Sequence, residues 1–175
     1  MEEYNIVSKR GLDLAVPMAL YTTVISLSTL FSDLVPPLSV LSMLMLLGGP
    51  VLLYLMQRKF YVEHSGEYGT GALWRLGVII IFFGTVFTLL VTYAVLEYVR
   101  PSFIYEQIQL LIDTYKQIPE LKGGEIVKTL EYMLDNDLQP SAFSYALNMF
   151  LATNISGMVM GLITAALASR PVNRF

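Results

Sequence analysis

The chain has 175 residues, 55% of them hydrophobic and 14% charged, with a formal net charge of −3 and a mean hydropathy of +0.59. Soluble domains carry nearer ~25% charged residues, so this composition excludes an ordinary water-soluble enzyme and a basic nucleic-acid binder. Cysteine is absent, which removes disulfides, thiolate metal sites and thiol redox chemistry.

In chain order, Lys9 and Arg10 precede a first apolar run over about residues 12–31. A helix needs about 20 residues to cross ~30 Å of hydrocarbon, and this run is long enough. It is too long for the core of a signal peptide, and its small-residue step Ser26-Leu27-Ser28 lies inside it, so it reads as a retained helix. Asp13 stands near its start, where a carboxylate favours a helix N-terminus. Pro17 follows early in the same helix. After the tight link Ser32 to Pro37 comes a second run, about 38–56. Its Gly48-Gly49-Pro50 step predicts a kink or local unwinding; with Pro17 it could shape a cavity open to the cytoplasmic leaflet, but a kink packed by side chains such as Met43 and Met45 is favoured. Gln57 to Gly71 then reads as a solvated turn region, made flexible by Gly66, Gly69 and Gly71. Its lone His64 beside Glu63 and Glu67 is too small a set for a metal site, and the loop is the best docking surface on its side of the membrane.

The third run spans about 73–99 and carries a strip of Gly77, Gly84, Thr88 and Thr92. Glu97 and Arg100 stand three apart at its end, a spacing at which they can pair on one helix face. A different kind of sequence fills about 101–140. Pro101 suits a first helical turn, and Phe103, Ile104, Ile108, Leu111, Ile112 and Tyr115 form one apolar stripe. Pro119 and Gly123-Gly124 break it, and a second stripe follows at Ile126, Val127, Leu130, Met133 and Leu134. The segment therefore reads as an amphipathic helical hairpin with acidic polar sides. The last run, about 143–168, repeats Gly157, Gly161, Ala165 and Ser169 every fourth residue. Small residues at that spacing let another backbone approach closely, and packing within the chain is favoured over packing between copies. Asn154 is the deepest strongly polar group in this run and is expected to hydrogen-bond across a helix interface, to the third or first helix.

The fold class is thus all-α: a polytopic bundle of four transmembrane helices with an amphipathic hairpin between the third and fourth. Seven of the eleven basic residues fall on the side shared by both termini, giving it net +2 against −5 on the other side. Basic loops mark the cytoplasmic face, so both termini are expected inside. Tyr54, Phe60, Tyr61, Tyr68 and Trp74 are read as an aromatic belt at one boundary, with Tyr93, Tyr98, Phe103, Phe143 and Tyr145 at the other.

No HExxH, GxSxG or phosphate-cradling glycine loop occurs, and no catalytic residue, cofactor or metal is assigned. The helix-packing candidates are Gly77, Gly84, Thr88, Asn154, Gly157, Gly161 and Ala165; the polar candidates are Asp13, Glu97 and Arg100. A non-catalytic subunit, assembling with itself or with a membrane-associated enzyme, is the first functional reading. A small oligomeric transporter or lipid-handling protein is the second, and a membrane enzyme using Glu97 or Asp33 a distant third.

Three stretches carry a family likeness: Tyr68-Gly69 leading to Ala72-Leu73 and Gly77, then Tyr98-Val99-Arg100-Pro101-Ser102-Phe103, and Gly157 through Gly161 to Leu162-Ile163. By these the chain resembles the bacterial inner-membrane family called domain of unknown function 4199, over nearly its whole length. The resemblance implies no reaction and no catalytic residues. It implies a neighbouring polyprenyl-phosphate glycosyltransferase as a candidate partner.

Overall fold

The computed structural model describes residues 2–118 and 124–170. Pro119, Glu120, Lys122, Gly123 and Arg174 lie outside them. The described residues form helices and no strand: α1 Glu2–Leu30, α2 Pro37–Glu63, α3 Thr70–Ala94 continued by a π-helical turn Val95–Val99, α4 Phe103–Gln117, α5 Glu125–Asp135 and α6 Ala142–Ala168. Four of these stretches, those of α1, α2, α3 with its π turn, and α6, are long and apolar enough to cross a membrane, the mark of a multi-pass membrane protein.

Two helices overrun their apolar segments. α1 begins at Glu2, about ten residues before the expected start, because its first turns pack: Val7 is buried, and a side chain at Gly11 would collide with Ile79 of α3. Asp13 is consequently an exposed residue inside α1 and not at its N-terminal end. α2 starts on the proline pair Pro36-Pro37, whose fixed φ suits a first turn. It runs on to Glu63, so Gln57, Arg58 and Phe60 are helical rather than part of a solvated loop. Ser65 and Gly66 then adopt left-handed φ of 54° and 81°. The amides of Gly66 and Ser65 donate to Tyr61 and Val62 carbonyls, which satisfies the helix's last acceptors.

The chain forms two compact units, residues 1–91 with 149–175, and residues 92–148. The first unit holds α1, α2, most of α3 and most of α6 around a core that includes Val7, Leu53, Phe60, Tyr68, Leu73, Leu76, Ile80, Ala165 and Ala168. Phe60 and Tyr68, expected in a boundary belt, are core residues: their ring centres lie 5.0 Å apart, in one cluster with Val7 of α1 and Leu73 and Leu76 of α3. The Gly48-Gly49-Pro50 step lies inside a continuous α2, and a residue other than Met43 packs against it. Met43 is 66% exposed, and Tyr21 of α1 fills the step, its hydroxyl bonding the Met45 carbonyl. The phenol thus ties α1 to α2 just before the glycine pair.

The second unit holds the π turn, α4, α5 and the first turns of α6. Phe103, Ile104, Ile112 and Val127 are buried as their stripes predict, while Leu111 and Ile126 are exposed. The Lys116 ammonium lies 2.7 Å from the Glu131 carboxylate, joining α4 to α5. Phe103 meets Tyr145 edge to face with ring centres 6.1 Å apart.

Candidate functional site

The helix-packing candidates lie beside neighbouring helices of the same chain. A β-carbon at Gly157 would stand 2.9 Å from two carbons of Ile81, so this glycine lets α6 press on α3. Gly84 likewise faces Met18 and the backbone of Ala19, letting α3 press on α1. Asn154, 5% exposed, donates to Thr85 Oγ1 of α3 at 2.9 Å. Thr88 sits 2.7 Å from Thr22 and 3.1 Å from Thr23 of α1, hydroxyl to hydroxyl. Ala165 is fully buried. Association of helices in lipid depends on such close packing and cross-helix hydrogen bonds, since lipid is as apolar as leucine.

At the α2 end of this seam is a residue that the sequence reading places in the loop. Gln57 has no exposed surface, and its Nε2 donates to the Leu73 carbonyl of α3 at 3.0 Å and the Gly161 carbonyl of α6 at 3.2 Å. One side chain thus ties three helices. Gly77 makes room for it: a β-carbon there would be 2.6 Å from Nε2. Two further bonds close the same end. Arg58 Nη1 donates to the Ala168 and Arg170 carbonyls at 2.7 and 2.5 Å, and Trp74 Nε1 donates to the Met158 carbonyl at 3.0 Å. The guanidinium suits the C-terminus of α6, where free carbonyls gather negative charge.

Beside this knot, the start of α1 and the end of α2 enclose an open cleft of about 470 Å³ lined by Ile6, Lys9, Arg10, Asp13, Phe60, Glu63 and His64. Arg10 Nη2 pairs with Glu63 Oε2 at 3.1 Å. The His64 ring packs on Phe60 and Tyr68, with its Nδ1 2.9 Å from the Phe60 carbonyl. Among the described residues no group of three His, Asp or Glu side chains is placed to hold a metal ion.

The family model described as "Protein of unknown function (DUF4199)" matches residues 9–170. The chain belongs to this family. No curated protein and no solved structure matches it. In this DUF4199 chain the three polar candidates occupy separate places. Asp13 lines the cleft. Glu97 is exposed on the π turn. Arg100, 8% exposed, pairs with Glu106 at 2.7 Å rather than with Glu97. The π turn and the non-helical backbone of Arg100, φ −134° and ψ 61°, break the register that a three-residue spacing assumes. Ser102 Oγ steadies the same carboxylate at 2.6 Å, and the guanidinium lies 5.2 Å over the Phe103 ring.

Proposed function

We propose that this chain is a non-catalytic, multi-pass accessory subunit of the bacterial inner membrane that assembles with itself or with a membrane-associated enzyme. The observation that carries the reading lies on α6. Ala152, Thr153 and Ser156 are exposed in mid-helix, whereas the glycine seam of the same helix is already used within the chain. Thr153 and Ser156 satisfy their hydroxyls on the Met149 and Ala152 carbonyls, each at 2.8 Å. The face is therefore shallow and polar-satisfied, the kind on which a second helix packs closely.

The basic side of the chain is assigned to the cytoplasm, with both termini there, by the excess of Lys and Arg. On the other side α4 and α5 form an acidic amphipathic hairpin, suited to a partner rather than to adsorption on anionic lipid. A polyprenyl-phosphate glycosyltransferase is the partner class that the family resemblance suggests. Purification in mild detergent, with mass measurement and identification of companion chains, tests the reading. A species heavier than one chain is expected, reduced to the monomer by Ser156→Leu. A strict monomer without companions would overturn it. The transporter alternative draws on Pro17 and Gly48-Gly49-Pro50. Tyr21 filling the second break weighs against a path there.

A further inference from the structure

We propose that the cleft between the start of α1 and the end of α2 holds the headgroup of a zwitterionic phospholipid, of the phosphoethanolamine class. Its wall carries two cations, Lys9 and Arg10, and two carboxylates, Asp13 and Glu63. An anion alone would meet both carboxylates, and a cation alone both basic groups. A ligand bearing a phosphate and an ammonium a few ångströms apart meets each charge with its opposite.

The pairing already present leaves the right groups over. Arg10 is joined to Glu63, and Lys59 also approaches Glu63, at 3.9 Å. Lys9 and Asp13 are exposed and have no ion-pair partner among the described residues. They stand one helical turn apart, on one face of α1. Lys9 is the free cation for a phosphate oxygen, and Asp13 the free acceptor for ammonium N–H groups. A carboxylate rewards a donor, so a primary ammonium fits better than a quaternary one, which carries no N–H. The cage of Trp, Tyr and Phe rings that recognises quaternary ammonium is lacking here, since the rings lining the cleft are Phe60, which is fully buried, and the His64 imidazole.

The rest of the same helix face argues for a lipid over a soluble ligand. Beyond Asp13 it continues through the exposed side chains Val16, Leu20 and Val24, a track along which an acyl chain can lie. Ile6 and Phe60 supply an apolar wall to the cleft itself. The site does not rest on the assembly reading, because a single chain carries all of it.

The test uses the full chain, purified in mild detergent, stripped of lipid and examined by native mass spectrometry. The probes are phosphatidylethanolamine, phosphatidylglycerol, phosphatidylcholine and free phosphoethanolamine. Phosphatidylethanolamine should be retained about tenfold over the other two lipids, the scale of one charge-assisted contact. Asp13→Asn should abolish that preference, and Lys9→Gln should weaken retention of all three lipids about tenfold, each with unchanged thermal unfolding. Lys9→Arg and Asp13→Glu should keep both retention and preference, as should Lys116→Gln in the other compact unit. Phosphatidylglycerol binding as well as phosphatidylethanolamine, an Asp13→Asn variant that retains the preference, or a Lys9→Gln variant that holds all three lipids as tightly as the parent chain, would overturn the site. Full displacement by equimolar phosphoethanolamine would overturn its assignment to a lipid.

Discussion

Replacing Gly77 by alanine tests the three-helix knot through a residue that makes no bond of its own. The new methyl would stand 2.6 Å from Gln57 Nε2 and 3.7 Å from Leu53 Cδ1. The second contact is ordinary, and the first forces Gln57 away. Gln57 is fully buried and holds two carbonyls, at 3.0 and 3.2 Å. Interhelical hydrogen bonds in membranes are worth about 0.6–1.7 kcal/mol each, and overpacking costs about 1–3 kcal/mol. Gly77→Ala alone should therefore destabilise by about 2–4 kcal/mol. In a Gln57→Ala background the methyl enters space the amide has left, and alanine is the better helix former. There the same change should be neutral, or stabilising by up to about 1 kcal/mol. Unfolding of the four chains of this cycle in mixed micelles of mild detergent and dodecyl sulfate gives the coupling directly. A coupling of about 2–5 kcal/mol is expected; additivity within about 0.5 kcal/mol would refute the knot.

Three other outcomes follow from the geometry. Gly48→Ala should cost about 1–3 kcal/mol, because its β-carbon would lie 2.6 Å from the Tyr21 hydroxyl. Tyr21→Phe should relieve that cost, since the nearest ring carbon is 3.8 Å away; thermal unfolding of the single and double variants reads this. Glu106→Gln, which removes the negative partner of the buried Arg100 guanidinium, should lower stability by about 1–2 kcal/mol, and limited proteolysis should find the Pro101–Phe103 turn opened. The Glu131 hydrogen bond, with lesser help from charge, holds the Lys116 ammonium above its ordinary pKa. A raised pKa stabilises the fold fully below the unfolded value and loses that contribution as pH climbs through the folded one. Protection of the α5 amides, taken relative to their intrinsic exchange rate at each pH, should thus stay constant through neutral and mildly alkaline buffer and fall above the ordinary lysine range. Lys116→Gln should remove that alkaline step.

The four long helices were legible because apolar length is a direct physical requirement of crossing hydrocarbon, and each run met it. Their ends were less so. Residues 2–11 and 57–63 are polar enough to look like flanks, and they are helical because Val7, Gln57 and Phe60 pack on other elements of the chain. A local signal was present for the second stretch: Leu53, Met56, Gln57 and Phe60 continue one helical stripe past the end of the apolar run. The glycine positions were legible as close-approach points. Their partners were not, because spacing says how near a helix can come and not which helix comes. The spacing of Glu97 and Arg100 allows a pair, but it does not reveal the pair that Arg100 makes with Glu106. That pairing depends on a π turn, which no residue type in Val95–Val99 announces. The cleft joins residues some fifty positions apart, such as Arg10 and Glu63, so only its charges, and not their meeting, could be read in advance.

A photo-crosslinking amino acid placed at Ser156, and separately at Leu47, gives the most direct measurement of whether the exposed stripe of α6 carries a partner. Leu47 is 66% exposed on α2 and serves as the lipid-facing reference. Irradiation of intact membranes should convert the chain labelled at 156 to a discrete heavier species and leave the chain labelled at 47 unchanged. A monomer from both positions, or crosslinking from position 47 alone, would contradict the assembly account.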